Sequence, residues 1–399
     1  MRRTFQLFLI ALLIVSILTF IIAKPAYGQA QTATATIPVG NAPSGLAVTP
    51  DGAYVYVANE ESNSVSVIST ATNTVTVTIT GFSGPEDVAV TPDGAYAYVS
   101  NWNNGSVSVI STATNTATAT ITGFNKPTEV CVTPNGEYVY VSNTNYEGSV
   151  SVINTASNAV TATIPLIYPT GVAVTPNGQY AYVANSQGAV SWINTTTETA
   201  AGHVNGFFSY PNGVAVTPDG AYLYVADTGD ESVEVISTAT NNVTATISTL
   251  GANPYPPGTA PYSVAVTPDG AYAYVTNSET GTVSVISTAT NIIAATITGF
   301  NWPIGVASAP NGNVYVTNQE SGTVSVISTS KAITSPTPTV SPTASPTTSP
   351  FPSPSIPEFS TASLILVVAC VLAVTICAVA SPHKKLARAN SDSKKTLSK

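Results

Sequence analysis

Glu86, Asp87 and Glu129 open neighbouring innermost strands, where solvated charge is the ordinary reading and a cation site the chemical one. They are hard oxygen donors of the kind that Ca²⁺ prefers, and Asp87, Glu129 and Asp227 are the metal candidates. A second set of oxygens, Asn59, Asn101, Asn143, Asn185, Asp227, Asn277 and Asn318, recurs at one place in a repeat and could circle a cation. Asn and Asp at a strand end more often stabilise the turn that follows. Nucleophilic chemistry has little to work with. His203 is the only histidine between residues 31 and 330, and no arginine occurs between residues 4 and 387. Cys131 replaces an alanine of the repeat and reads as a small core residue. Met1 is the sole methionine, which removes one axial ligand of a haem. No Ser-His-Asp set, zinc spacing or phosphate-cradling glycine loop is present. The sequence therefore assigns no catalytic residue, and no cofactor beyond Ca²⁺.

What must position these residues is a repeat. Thr-Pro-Asp/Asn-Gly begins at Thr49, Thr91, Thr133, Thr175, Thr217 and Thr267, with a degenerate copy at Ala309. The step is 42 residues, apart from one of 50 between Thr217 and Thr267. Each unit holds four short segments rich in Val, Ile, Thr and Tyr, which favour strands. A period of about 40–45 residues with four strands is the propeller signature. Proline opens each unit, at Pro43, Pro85, Pro127, Pro169, Pro211, Pro261 and Pro303, where a missing N–H costs no ladder bond. The seventh unit stops after its third strand, and residues 33–37 match the missing fourth. The expected fold is all-β: a seven-bladed β-propeller over residues 31–330, closed by its N-terminal strand, which also covers an edge.

The flanks read as targeting segments. Residues 1–30 resemble a signal peptide, with Arg2 and Arg3 before an apolar run. Residues 331–358 form a Ser/Thr/Pro-rich, disordered stalk. Residues 359–381 are apolar and long enough for a transmembrane helix, and the basic tail 382–399 places that end in the cytoplasm. These segments predict a cell-surface protein anchored in the plasma membrane with its propeller outside. Asn104, Asn194 and Asn242 lie in glycosylation triplets.

Charge narrows the partners. Between residues 31 and 330 there is one base, Lys126, against 18 Asp and Glu. A surface that negative repels nucleic acid. Turns between the first and second strands hardly vary between units, and neither do those between the third and fourth. The variable connections fall on one face, which carries Glu86, Asp87, Trp102, Glu129, Tyr168, Tyr210 and Trp302. Aromatic side chains among polar loops suit a binding surface.

The segments Tyr274–Asn277 and Tyr315–Asn318 spell Tyr-Val-Thr-Asn, with close variants at Tyr56, Tyr98, Tyr140 and Tyr182. On these residues the chain resembles the YVTN family of β-propellers, prominent in archaeal surface-layer and surface-antigen proteins. Pro357-Glu358-Phe359 before the apolar segment looks like an archaeosortase sorting signal. The resemblance implies a cell-surface role. With no catalytic set in the sequence, the reading is a non-enzymatic structural or adhesive module that binds a surface protein, a glycan or neighbouring surface-layer subunits through the variable face. Relatives of the fold include lactonase-like enzymes, and the alternative is a metal-dependent hydrolase acting at the channel mouth.

Overall fold

The computed structural model describes residues 33–249 and 260–328. Local chemistry builds each repeat. In the first turn Thr49 Oγ1 donates to Asp51 Oδ1 at 2.5 Å, Ala53 N donates to the same oxygen at 2.9 Å, and Gly52 N donates to Thr49 O at 2.8 Å. Gly52 takes φ 72°, a conformation that costs other residues energy. The same Thr–Asp bond recurs at Thr91, Thr217 and Thr267. These bonds, the threonine hydroxyl first, hold the Asp51 carboxyl below its ordinary value.

Among the described residues, 28 strands form seven four-stranded antiparallel sheets. Blades 1 to 6 cover residues 43–80, 85–122, 127–165, 169–203, 211–248 and 261–298, and blade 7 starts at Pro303. In each of blades 1 to 6 the strands follow one another outward from the axis. Blade 7 is completed by Ala33–Pro38, which pairs antiparallel with Thr323–Ser328. Closure by the first and last strands is as the sequence predicts.

The core lies between blades. Tyr56, Val65 and Val67 of blade 1 pack with Val88, Ala97 and Val99 of blade 2, and the same grouping repeats around the ring. It ends where Ile37 and Val324 of blade 7 meet Leu46 and Val55 of blade 1. The second strand of each blade contributes a tyrosine that is at most 1% exposed: Tyr56, Tyr98, Tyr140, Tyr182, Tyr224, Tyr274 and Tyr315. Burying a phenol requires a partner for its hydroxyl. Tyr98 Oη donates to Asn158 Oδ1 at 3.1 Å, and Tyr182 and Tyr224 Oη donate to Asn241 and Asn291 Oδ1 at 2.7 Å. Each bond crosses to the following blade.

The expectation of a propeller joined to a signal peptide and a membrane helix is corrected to what the described residues show, the propeller. Among the described residues no helix is long and apolar enough to cross a membrane. The membrane-anchored, cell-surface placement and the membrane as a partner are corrected on the same finding. The signal peptide at 1–30, the stalk at 331–358, the span at 359–381, the tail at 382–399 and most of the insertion after Leu250 lie outside the described residues.

Candidate functional site

Each blade begins at the axis with its proline. Pro85 pairs with Asn101, the register then slips, and pairing resumes at Val88 with Val99. All seven innermost strands slip at this point. A slip of this kind frees residues from the ladder and re-aims them. Here the freed pair is the two residues after each proline. In every blade at least one of that pair lines a central cavity of about 410 Å³.

The second residue of the pair is Gly45, Asp87, Glu129, Gly171, Gly213, Ser263 and Gly305 in turn. Glycine is common here because neighbouring blades approach closely. A Cβ on Gly213 would lie 2.7 Å from Ser263 Cα, and one on Gly45 would lie 2.7 Å from Asp87 Cα. Blades 2 and 3 thus carry carboxylates in a ring where crowding otherwise favours glycine. Glu86 precedes Asp87, so three carboxylates line the cavity within two adjacent blades.

Burial in this setting disfavours charge. It raises Glu86 from its ordinary 4.5 to about 7, with Glu60 and Asp87 adding repulsion. Asp87 rises from 3.8 to about 7, chiefly through burial, although Val130 N and Val88 N oppose the shift. Glu129 is held well above 4.5 by burial and then by the charges of Asp87 and Glu86. Asp87 Oδ2 accepts from Val130 N at 3.0 Å, and Asp87 N donates to Ser100 Oγ at 3.0 Å. Among the described residues, Glu86 Oε1 accepts only from Ser44 Oγ, at 3.4 Å. Tyr262 shares the cavity; burial first and the Glu86 charge second push its hydroxyl up to about 12. It therefore stays a proton donor at neutral pH. Asn212 lines the cavity beside it.

The residues singled out from sequence separate into three places. Glu86, Asp87, Trp102 and Glu129 line the cavity together. Tyr168, Tyr210 and Trp302 do not line it. They belong to a collar formed by the residue before each proline, all with left-handed φ: Ala42 49°, Gly84 61°, Lys126 54°, Tyr168 46°, Tyr210 64°, Ala260 44° and Trp302 53°. The backbone bond that fixes the collar also repeats, for example Thr144 N to Lys126 O at 3.0 Å and Gln319 N to Trp302 O at 3.1 Å. Asp227 lies apart in blade 5, fully buried, with both oxygens 2.9 Å from Ser209 N.

Two further groups of polar residues have structural work. Asn59 Nδ2 donates to Ser64 Oγ at 3.2 Å and Ser66 Oγ at 3.0 Å, and Asn101, Asn277 and Asn318 make equivalent pairs. These amides point their donors at their own blade rather than gathering around one ion. Among the described residues no three of His, Cys, Asp and Glu come together closely enough to hold a metal. The triplet asparagines Asn104 and Asn194 accept bonds in their own turns, from Ser106 Oγ at 2.7 Å and Thr196 N at 3.0 Å, and Asn242 Oδ1 accepts from Asn205 Nδ2 at 3.0 Å. His203 Nδ1 lies 2.9 Å from Ser191 Oγ. Burial pushes the Cys131 thiol up to about 12, which makes it a poor nucleophile.

Sequence reasoning missed Tyr262 and Asn212 as cavity residues. Their signal was present in the column of residues one past each proline, where Ser44, Glu86, Thr128, Thr170, Asn212, Tyr262 and Ile304 show six residue types in seven blades.

A closed propeller with an acid-lined axial cavity defines the class. The sequence matches the family described as "Lactonase, 7-bladed beta-propeller" over residues 16–119, 83–216 and 209–292. The chain belongs to this lactonase family, a family of hydrolases. That membership corrects both the surface-layer YVTN assignment and the expectation of a protein that is not an enzyme. No curated protein matches the chain. Among solved structures, the chain is similar to Kuenenia stuttgartiensis hydrazine synthase, with 23% identity, a TM-score of 0.67, and 72% of this chain and 96% of that chain covered. It is also similar to the Myceliophteria thermophila Cps50 (Swd1) β-propeller domain, with 12% identity, a TM-score of 0.63, and coverage of 75% and 99%. At these identities the likeness speaks for the fold alone.

Proposed function

We propose that the chain hydrolyses a lactone in its central cavity. The observation that carries this reading is the pair Asp87 and Glu129, standing at the cavity wall where four other blades have glycine, in a chain of a hydrolase family. Lactone hydrolysis needs a base for the attacking water, a donor for the carbonyl oxygen and a proton for the leaving alkoxide. Asp87, anchored by Val130 N, takes the water proton as the water oxygen bonds to the carbonyl carbon. The Tyr262 hydroxyl and the Glu129 carboxyl, which burial biases towards its protonated form, donate to the carbonyl oxygen as negative charge gathers there. The ring C–O bond then breaks and the leaving oxygen takes a proton from the carboxyl pair, giving a hydroxy acid.

A base poised near the working pH is the efficient choice, and such a group contributes about 10²–10⁴-fold. Asp87 and Glu86, both near 7, meet that requirement. The collar aromatics Tyr168, Tyr210 and Trp302 meet the substrate on its way in. The test is proton release by the full-length protein on a panel of five- and six-membered lactones, beside Glu129→Gln. Turnover that the variant lowers at least tenfold supports the reading. No turnover on any lactone, or equal rates in both proteins, sinks it.

A further inference from the structure

Resting on that reading, we infer that the cavity takes an uncharged, hydroxyl-bearing ring and turns away anionic ones such as phosphate esters. The first argument is charge. Three acidic side chains and no Lys, Arg or His line the cavity, so the wall offers an anion no positive charge and gains negative charge as pH rises. Lys126, the one base between residues 31 and 330, lies with its Nζ 4.9 Å from the centroid of the Trp102 ring. A cation there is held by the aromatic face, at the collar rather than in the wall. Phosphate is otherwise captured by arginine forks or by helix N-termini. Among the described residues the one helical element is a three-residue turn, Gln319–Ser321.

The second argument is hydrogen bonding. Glu129 accepts no bond from any described residue, and Glu86 accepts one long bond from Ser44. These carboxyls have acceptor capacity to spare, and a hydroxyl-rich ring brings the donors that would use it. On the other side of the axis Asn212 and Tyr262 offer groups of their own. Trp102 brings apolar ring atoms to the same wall, against which the C–H groups of such a ring can pack. A volume of about 410 Å³ suits a single substituted ring. The same lining has a consequence for turnover: opening a neutral lactone creates a carboxylate, for which the wall holds no cationic partner.

Calorimetry with the full chain tests this without relying on catalysis. Three hydrolysis-resistant probes are compared: an uncharged aldono-δ-lactam, its 6-phosphate, and unsubstituted δ-valerolactam. The expected result is that the aldonolactam binds at least tenfold more tightly than either of the others. The penalty on the phosphate should shrink in salt of about 1 M, where the screening length falls to about 3 Å. It should also shrink in a Glu86→Gln/Glu129→Gln variant whose melting point shows it folded. Equal or tighter binding of the phosphate overturns the charge argument. Equal binding of valerolactam overturns the hydroxyl argument, and no binding of the aldonolactam at millimolar concentration overturns both. Selective aldonolactam binding without turnover of any lactone would leave this inference standing while the hydrolase reading fails.

Discussion

Val130 N donates to Asp87 Oδ2 at 3.0 Å across the boundary between blades 2 and 3. The carboxylate facing the cavity is thus also a tie between two blades, and the two roles can be separated. Asparagine at 87 keeps an oxygen for Val130 N but cannot accept a proton. Asp87→Asn is expected to melt close to wild type while lowering kcat by about 10²–10⁴. Circular dichroism melts and lactone hydrolysis measured on one preparation check this. An unchanged kcat would remove Asp87 from the mechanism.

The pH dependence of stability follows from carboxyls displaced in opposite directions. Glu86, Asp87, Glu129 and Asp227 are raised in the folded protein, mainly by burial. The fold binds their protons more tightly than the unfolded chain does, so their contribution is complete below about pH 4 and is lost as pH rises towards 7. Asp51, Asp93, Asp219 and Asp269 are lowered by their turn hydrogen bonds, the threonine hydroxyl foremost. Their contribution is present above the ordinary 3.8 and is lost as pH falls below it. Melting temperature should therefore peak near pH 4–5 and decline towards neutrality. A peak above pH 7 would contradict the raised values.

Blade 5 departs from the repeat in a way that costs stability. Six blades place Asn at the end of the second strand within hydrogen-bond reach of a serine on the third, Ser66, Ser108, Ser151, Ser191, Ser284 or Ser325, whereas blade 5 has Asp227 and Glu234 at these positions. Both are buried, at 0% and 5% exposure, and Asp227 is pushed up to about 6, by burial first. Glu234 finds Ser232 Oγ at 2.9 Å and Thr246 Oγ1 at 2.6 Å. An asparagine at 227 would offer Glu234 a donor in place of a second acid. Asp227→Asn is expected to stabilise the protein at pH 7 by on the order of 1 kcal/mol, and by less at pH 5. Denaturant melts at the two pH values measure the difference. A loss of stability at pH 7 would show that the buried pair is held in another way.

Fold and site were legible in the sequence to different depths. The repeat announced the blades because each turn needs Thr, Pro, Asp and Gly at fixed places. The strand Ala33–Pro38 announced the closure because a propeller cannot leave its last blade short. Glu86, Asp87 and Glu129 stood out as acids, but that alone does not distinguish a site from a solvated rim. What distinguishes them is the crowding at Gly45 and Gly213, a contact between blades that only coordinates reveal. Tyr262 escaped for a related reason. Pro261 gives its place in the repeat, but the column one past each proline varies so much in residue type that nothing in it reads as a shared wall until the strands are set around the axis. The family assignment went astray on tetrapeptides such as Tyr274–Asn277, whose buried tyrosine and strand-end asparagine serve the scaffold. Scaffold residues report a fold, and here they were credited with a function.

The collar offers a way to separate substrate entry from chemistry. Tyr210 and Trp302 hold φ of 64° and 53° and are 63% and 39% exposed. A non-glycine residue in this conformation pays about 1–2 kcal/mol, while glycine adopts it freely and loses more entropy on folding. Bulky residues placed in a strained ring around the cavity mouth, with little burial to offset the strain, fit a role in contact with what enters. Replacing Tyr210 or Trp302 with glycine is expected to leave stability unchanged or raise it by up to about 1 kcal/mol. KM for a lactone should rise several-fold, with kcat within about twofold of wild type, because substrate affinity is weakened while the proton-transfer groups stay in place. If KM and kcat both stay at wild-type values, the collar is scaffold, and selection rests with the cavity wall.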